Sequence, residues 1–106
     1  LNFDLIVLDP PSLAPRRSDI SAATGAYKFL NLHALKRLEP GGILLTFSCS
    51  QHLTADLFQK VVFGAAVDAG RKVTILRKLG HSMDHPVSLH HPEGDYLKGL
   101  ALRVLD

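Results

Sequence analysis

Short, unbroken runs of apolar residues alternate along the chain with longer segments in which apolar residues recur every three or four positions. The unbroken runs, residues 5–8 and 43–47, are typical of strands that are buried on both faces of a sheet. The periodic segments predict a helix over residues 20–38 and a second helix that begins after the N-cap Thr54 and ends at Gly70. The chain therefore opens in the order strand, helix, strand, helix.

Two further strands are predicted after the second helix, over residues 73–79 and 97–104. The segment between them is rich in Gly, Pro and His and is too short and broken for a crossover helix, so these strands are expected to be antiparallel to each other. Pro10 and Pro11 end the first strand, because proline donates no hydrogen bond to a sheet ladder. The predicted fold class is α/β, a partial Rossmann-like sheet in the order β-α-β-α-β-β.

The predicted connections leave one face of this sheet without a cover. Successive right-handed crossovers in the same direction place both helices on the same face. At roughly 25 cal/mol per Å², several apolar side chains left in water forfeit several kcal/mol, which is comparable with the net stability of a small domain. We therefore expect the natural protein to continue upstream, or two copies to pair through the bare face or the open edge of the first strand.

Composition narrows the class of protein without naming a partner. The 106 residues suit one domain, and 12 basic against 10 acidic residues leave a formal charge of only +2. A single cysteine excludes an internal disulfide framework and a multi-cysteine zinc site, and it fits a reducing compartment such as the cytoplasm. No apolar run approaches the roughly 18 residues that are needed to span a bilayer.

Five segments carry a resemblance to a known family. They are DLIVLDPPS at 4–12, LEPGG at 38–42, SCS at 48–50, DHPV at 84–87 and PEGDYLK at 92–98. Together they resemble the RlmI-like class I methyltransferases, which use S-adenosylmethionine to make 5-methylcytosine in large-subunit ribosomal RNA. The resemblance implies that residues 1–106 are the C-terminal half of the catalytic domain. The glycine-rich cofactor loop and the N-terminal RNA-binding domain lie outside that half, so cofactor binding by this chain is expected to be incomplete.

The resemblance also implies the catalytic and cofactor-binding residues. Carbon 5 of cytosine is a poor nucleophile, and a thiolate that adds at carbon 6 makes it able to accept a methyl group. Cys49 is expected to supply this thiolate, and Asp9 is expected to hydrogen-bond or protonate the pyrimidine at nitrogen 3. Asp9, Pro10 and Pro11 are expected to contact the cofactor. Neighbouring strands lie about 4.8 Å apart, so the first two strand ends can bring Asp9 and Cys49 within roughly 10 Å.

RNA contacts are expected from residues that flank these two positions. The predicted substrate-binding residues are Ser12, Ser48, Ser50, Arg16 and Lys28. Simpler explanations stay open: a lone cysteine is often a small buried apolar residue, an aspartate before prolines often caps a turn, and charged loop residues are often only solvated. Tyr27 is expected to belong to the core.

Several histidines follow the third strand, but their irregular spacing does not predict a metal site. They are His81, His85, His90 and His91. The resemblance brings the same connection near the active site through Asp84, His85, Pro86 and Glu93.

Two other functions compete with the predicted one. One is methylation of a base amine or ring nitrogen, which usually places an aromatic residue where Ser12 stands, and the other is a non-catalytic interaction module.

Overall fold

The computed structural model describes residues 2–13, 16–50, 52–80 and 97–106 of the chain. Its elements are strand β1 at Phe3–Leu8, a 3-10 turn at Arg17–Asp19, helix α1 at Ile20–Lys36, strand β2 at Leu38–Ser48, helix α2 at Ala55–Ala69, strand β3 at Val73–Leu79 and strand β4 at Lys98–Val104. The predicted order of strands and helices is confirmed. The 3-10 turn was not predicted.

The four strands form one sheet in the order β1-β2-β4-β3. β1 and β2 are parallel, and β4 is antiparallel to both of its neighbours. The prediction that the last two strands form an antiparallel pair is therefore confirmed. β3 runs parallel to β2 without touching it, because β4 returns along the chain and fills the position between them.

The junction between α1 and β2 differs from the prediction. The helix ends at Lys36 instead of residue 38, and Leu38 already pairs with Phe3 of β1. The next register pair is Leu5 with Ile43, so residues 39–42 bulge out of the ladder. A Cβ on Gly42 would lie 2.8 Å from the backbone oxygen of residue 39, so this close turn requires glycine. The predicted boundary between helix and strand was wrong because β2 begins at Leu38, before the Glu-Pro-Gly-Gly segment that was expected to separate α1 from β2.

Both helices lie on the same face of the sheet, as predicted. The rings of Tyr27 in α1 and Phe58 in α2 pack edge to face with their centroids 6.0 Å apart. Thr54 accepts a hydrogen bond from the backbone N–H of Leu57 and caps α2, which ends at Gly70 in the left-handed conformation. The core is formed by apolar residues of both helices and of alternate strand positions, among them Ala23, Leu35, Leu38, Leu44, Val62, Ala65, Leu100, Leu102 and Val104.

The opposite face of the sheet is uncovered in the described structure. Leu5 is 53% exposed and Val7 is 59% exposed, although both lie in an unbroken apolar strand. Leu45 and Phe47 of β2 share this face and are only half-buried. Within the described ranges this face is bare, as the sequence predicts, and β1 lies at one edge of the sheet.

A buried polar pair fixes α1 against β2. Asn31 is fully buried; its side-chain amide donates to the backbone oxygen of Tyr27 at 2.8 Å, and its side-chain oxygen accepts from the hydroxyl of Thr46 at 2.6 Å. Thr46 is also fully buried. Because both groups are removed from water, this hydrogen bond specifies how the helix sits on the strand.

We predict that Thr46→Val lowers the free energy of unfolding by about 1–3 kcal/mol, because valine keeps the shape of threonine but withdraws the donor from the buried Asn31 oxygen. Urea denaturation measures the change. Thr24→Val is the matched control, since the Thr24 hydroxyl bonds an exposed carbonyl of its own helix, and its effect should stay within about 0.5 kcal/mol. Equal effects of the two substitutions would contradict the prediction.

Candidate active site

The carboxyl ends of β1 and β2 bring the two predicted catalytic residues to one edge of the sheet. Asp9 directly follows β1, and Cys49 directly follows β2. The strands are adjacent and parallel, with Leu8 level with Thr46, so a continued register sets Asp9 level with Phe47. From the usual strand spacing and rise, the Cα atoms of Asp9 and Cys49 are then about 8 Å apart.

The alternation of burial places both side chains on the face away from the helices. Along β1 the exposed positions Leu5 and Val7 are followed by exposed Asp9, and along β2 the half-buried positions end with Cys49. Cys49 is a free cysteine of intermediate exposure, so its thiol is not sealed in the core. Asp9 and Cys49 therefore share both an edge and a face.

Ser48 and Ser50 have the opposite orientation. Both are fully buried on the helix-covered side, and the backbone N–H of Ser50 donates to the Ser48 hydroxyl at 3.3 Å. The Ser50 carbonyl accepts from the backbone N–H of Leu53, which helps to turn the chain toward α2. In this structure neither serine is exposed to an RNA base, and both shape the backbone around Cys49.

Lys98, the last residue of the PEGDYLK motif, is a component of this edge to which the sequence assigned no specific role. It begins β4, pairs with Ser48 in the register and is only 8% exposed. Its ammonium group donates to the Ser50 carbonyl at 2.6 Å. A sequence signal was present, because Lys98 is a charged residue at a position whose alternate neighbours, Leu100 and Leu102, are apolar and buried.

The loop after β1 is attached to the core through Tyr27. The Tyr27 side chain is fully buried, as predicted for a core residue, and its hydroxyl accepts the backbone N–H of Leu13 at 3.3 Å. Within this loop Pro10 is half-buried, whereas Pro11 and Ser12 are exposed. The Asp-Pro-Pro-Ser segment is thus accessible to a ligand and anchored at its far end.

Arg16 stabilises the start of the first helical segment. Its guanidinium contacts the Asp19 carboxylate at 3.2 Å, and its backbone N–H donates to the same carboxylate at 3.1 Å. The side-chain hydrogen bond from Arg16 lowers the pKa of the Asp19 carboxyl below its usual value. The Arg16 side chain is 78% exposed, so it remains accessible to a phosphate group.

Lys28 lies away from the edge that holds Asp9 and Cys49. It is eight residues into α1, about 12 Å along the helix from its start, and it forms an ion pair with Asp68 at 2.7 Å. Asp68 is in the last turn of α2, at the end of that helix remote from Cys49. The structure therefore does not bring Lys28 together with the two catalytic candidates, and its contact with RNA stays a prediction.

Other predicted features fall elsewhere. The histidine-rich connection, with His81, Asp84, His85, Pro86, His90, His91 and Glu93, lies outside the described residues. Among the residues that the structure describes, no three His, Cys, Asp or Glu side chains are grouped so that they could hold a metal ion. Neither of the two helices in the described ranges is long and apolar enough to cross a membrane.

Curated relatives support the resemblance that the motifs indicated. The chain is 52% identical over 103 residues to ribosomal RNA large subunit methyltransferase I of Enterobacter sp. (strain 638), and the alignment covers 97% of the chain and 26% of that protein. The predicted resemblance is thus confirmed. The chain spans about a quarter of the length of the curated relatives it matches. No protein-family model matches it.

Solved structures support the fold. A candidate SAM-dependent methyltransferase from Streptococcus mutans has a TM-score of 0.76 and 22% identity, over 98% of this chain and 26% of its own. A candidate methyltransferase solved in complex with SAH has a TM-score of 0.73 and 25% identity, over 98% of this chain and 27% of its own. The predicted partial class I methyltransferase sheet is confirmed.

Proposed function

We propose that this chain carries the catalytic edge of an S-adenosylmethionine-dependent methyltransferase that makes 5-methylcytosine in large-subunit ribosomal RNA. The observation that carries the proposal is the common edge and face of Asp9 and Cys49, two residues 40 positions apart in the sequence. The relatives named as ribosomal RNA large subunit methyltransferase I support the substrate class. A pyrimidine ring fits between a thiol and a carboxylate at this spacing.

The proposed reaction begins when the Cys49 thiolate forms a bond to carbon 6 of cytosine. Asp9 holds or donates a proton at nitrogen 3, which receives the electron density that the addition releases. S-adenosylmethionine supplies the methyl group that carbon 5 receives. A general base then takes the proton from carbon 5 as the bond between carbon 6 and sulfur breaks, and nitrogen 3 returns its proton to Asp9. These steps free Cys49 and leave 5-methylcytosine.

Asp9, Pro10 and Pro11 are the residues of this chain that we propose to contact the cofactor. The Asp9 carboxylate is exposed at the carboxyl edge of a sheet, where open α/β folds bind their ligands. The positive sulfonium group of S-adenosylmethionine would be attracted to this negative carboxylate. The two prolines fix the backbone of the loop because their φ angles are locked. We propose that the rest of the cofactor site comes from another part of a longer protein.

The bare sheet face supports this larger protein. Exposed Leu5 and Val7 leave apolar surface in water next to the proposed site. The curated relatives are about four times as long as the alignment, so a protein of that length has additional chain that could cover the face. We propose that an upstream half covers this face; pairing of two copies is the alternative. We further propose that the protein works on ribosomal RNA in the cytoplasm.

RNA contacts are proposed for exposed side chains beside the edge. Ser12 follows the two prolines, and Arg16 keeps most of its guanidinium in solvent while it contacts Asp19. Lys28 is proposed only as a peripheral phosphate contact. To bind a phosphate, its ammonium group must share or give up its ion pair with Asp68. Such contacts act through charge and weaken as salt concentration rises.

The test is to give the full-length protein that contains this chain unmodified ribosomal RNA whose cytosines carry tritium at carbon 5. We expect tritium release that equals methyl incorporation, and mass spectrometry of the nucleosides should identify 5-methylcytidine. A methylated base amine or ring nitrogen without tritium release would identify the competing chemistry. No methylation of any base would favour the interaction module.

A further inference from the structure

We infer that Lys98 is a positioning residue for the proposed nucleophile, because its backbone pairs with Ser48 and its buried ammonium group holds the Ser50 carbonyl, one on each side of Cys49. The inference rests on the proposed function and extends it to a residue on a different strand. Lys98 is placed at the start of β4, 49 residues after Cys49 in the sequence.

Two connections join Lys98 to the Cys49 segment. Its backbone pairs with Ser48 in the antiparallel ladder between β2 and β4. Its side chain then reaches past the end of β2 and donates from Nζ to the Ser50 carbonyl at 2.6 Å. The residue before Cys49 and the residue after it are thus held by the same lysine.

The burial of Lys98 argues against a role in stability alone. A buried ammonium group loses its hydration, and apolar residues of similar size are often more stabilising at such positions. The alternate positions of β4 on this face are Leu100, Leu102 and Val104, all buried. Lys98 occupies the position of this row that lies beside the Cys49 segment. Its hydrogen bond to the Ser50 carbonyl therefore explains a lysine there better than its packing does.

Lys98 acts through the backbone and not on the thiol itself. Its side chain is buried on the helix-covered side with Ser48 and Ser50, whereas the burial pattern places Cys49 on the other side of the segment. A hydrogen bond to the Ser50 carbonyl restricts rotation of the Cys49 backbone and so fixes the direction of the sulfur. Displacement of a reacting atom by about 1 Å can lower a rate by on the order of 100-fold.

The experiment compares covalent trapping by the full-length protein and its Lys98→Met variant. RNA that contains 5-fluorocytidine retains the enzyme after methyl transfer, because fluorine cannot leave carbon 5 as a proton does. We expect Lys98→Met to lower the single-turnover rate constant of trapping about 10- to 100-fold, with the trapped fraction and the KM for S-adenosylmethionine unchanged. Lys60→Met is the control, since the Lys60 side chain is 73% exposed and forms an ion pair with Asp56 one turn earlier in α2.

A structural role gives a different result. General destabilisation lowers the fraction of enzyme that reacts but leaves the rate constant of that fraction unchanged. An unchanged rate constant overturns the inference, whether or not the reactive fraction falls. If Lys98→Met has no reactive fraction, Lys98→Leu takes its place and is judged by the same criterion, because leucine also removes the donor to the Ser50 carbonyl. Loss of all reactive protein in both variants also overturns the inference. Absence of trapping in the unsubstituted protein contradicts the covalent mechanism, whereas equal rates contradict only the role of Lys98.

Discussion

Cys49→Ala is expected to abolish methylation of cytosine carbon 5 by the full-length protein, with a loss in rate on the order of 10⁴-fold or more. The loss is large because no other step makes carbon 5 nucleophilic enough to accept a methyl group. Cys49 is the only cysteine of the chain, so no neighbouring thiol of this chain can replace it. Methyl incorporation into unmodified ribosomal RNA measures the effect.

The half-buried position of Cys49 makes this substitution easy to interpret. Removing a partly exposed sulfur leaves little cavity, so folding and cofactor binding should persist in Cys49→Ala. Cys49→Ser is the steric control: it restores the shape and a polar atom but not the nucleophile, and it should be equally inactive. Trapping on 5-fluorocytidine RNA should disappear in both variants. Continued formation of 5-methylcytidine by Cys49→Ala would exclude the covalent mechanism.

The position of this cysteine could be predicted from sequence because the signals are local. An unbroken apolar run followed by Ser-Cys-Ser, and another followed by Asp-Pro-Pro, each mark where a strand ends. A helix between two such strands implies parallel pairing, and parallel strands end at the same edge. The structure has both features, and Asp9 and Cys49 follow adjacent parallel strands.

The orientation of the flanking serines was also present in the pattern. Side chains alternate between the faces of a strand, so Ser48 and Ser50 must point away from the face that Cys49 occupies. The structure buries both serines and leaves Cys49 half-exposed. The alternation separates the two serines from Cys49, and their contact with RNA stays a prediction.

Other features depend on residues far apart in the sequence and could not be predicted from local patterns. The position of β4 between β2 and β3 is decided by long-range pairing. The bond from Lys98 to the Ser50 carbonyl and the bond from Leu13 to the Tyr27 hydroxyl follow from that pairing and from the helix packing. Lys98 and Ser50 each belong to a sequence motif, but the contact between them depends on the long-range pairing of the strands.

Asp9→Asn is the second substitution with a large expected effect, a loss of about 10²- to 10⁴-fold in the rate of methyl transfer. Asparagine keeps the size of aspartate and can still form hydrogen bonds, but it cannot transfer a proton to nitrogen 3 of the ring. Addition of the Cys49 thiolate then leaves negative charge on the pyrimidine without full compensation. Single-turnover rates on unmodified RNA and on 5-fluorocytidine RNA should therefore fall together.

Asp4→Asn supplies the matched control because Asp4 is another exposed aspartate on the same strand, near its opposite end and about 17 Å away. The same change of charge there should alter the rate less than twofold, which separates a local effect at the edge from a general effect of charge on RNA binding. If Asp9 only capped the turn before Pro10, Asp9→Asn would lower stability while the folded protein kept its rate. A rate near that of the unsubstituted protein, with a lower melting temperature, would therefore assign Asp9 to the turn and leave Cys49 without its proposed partner.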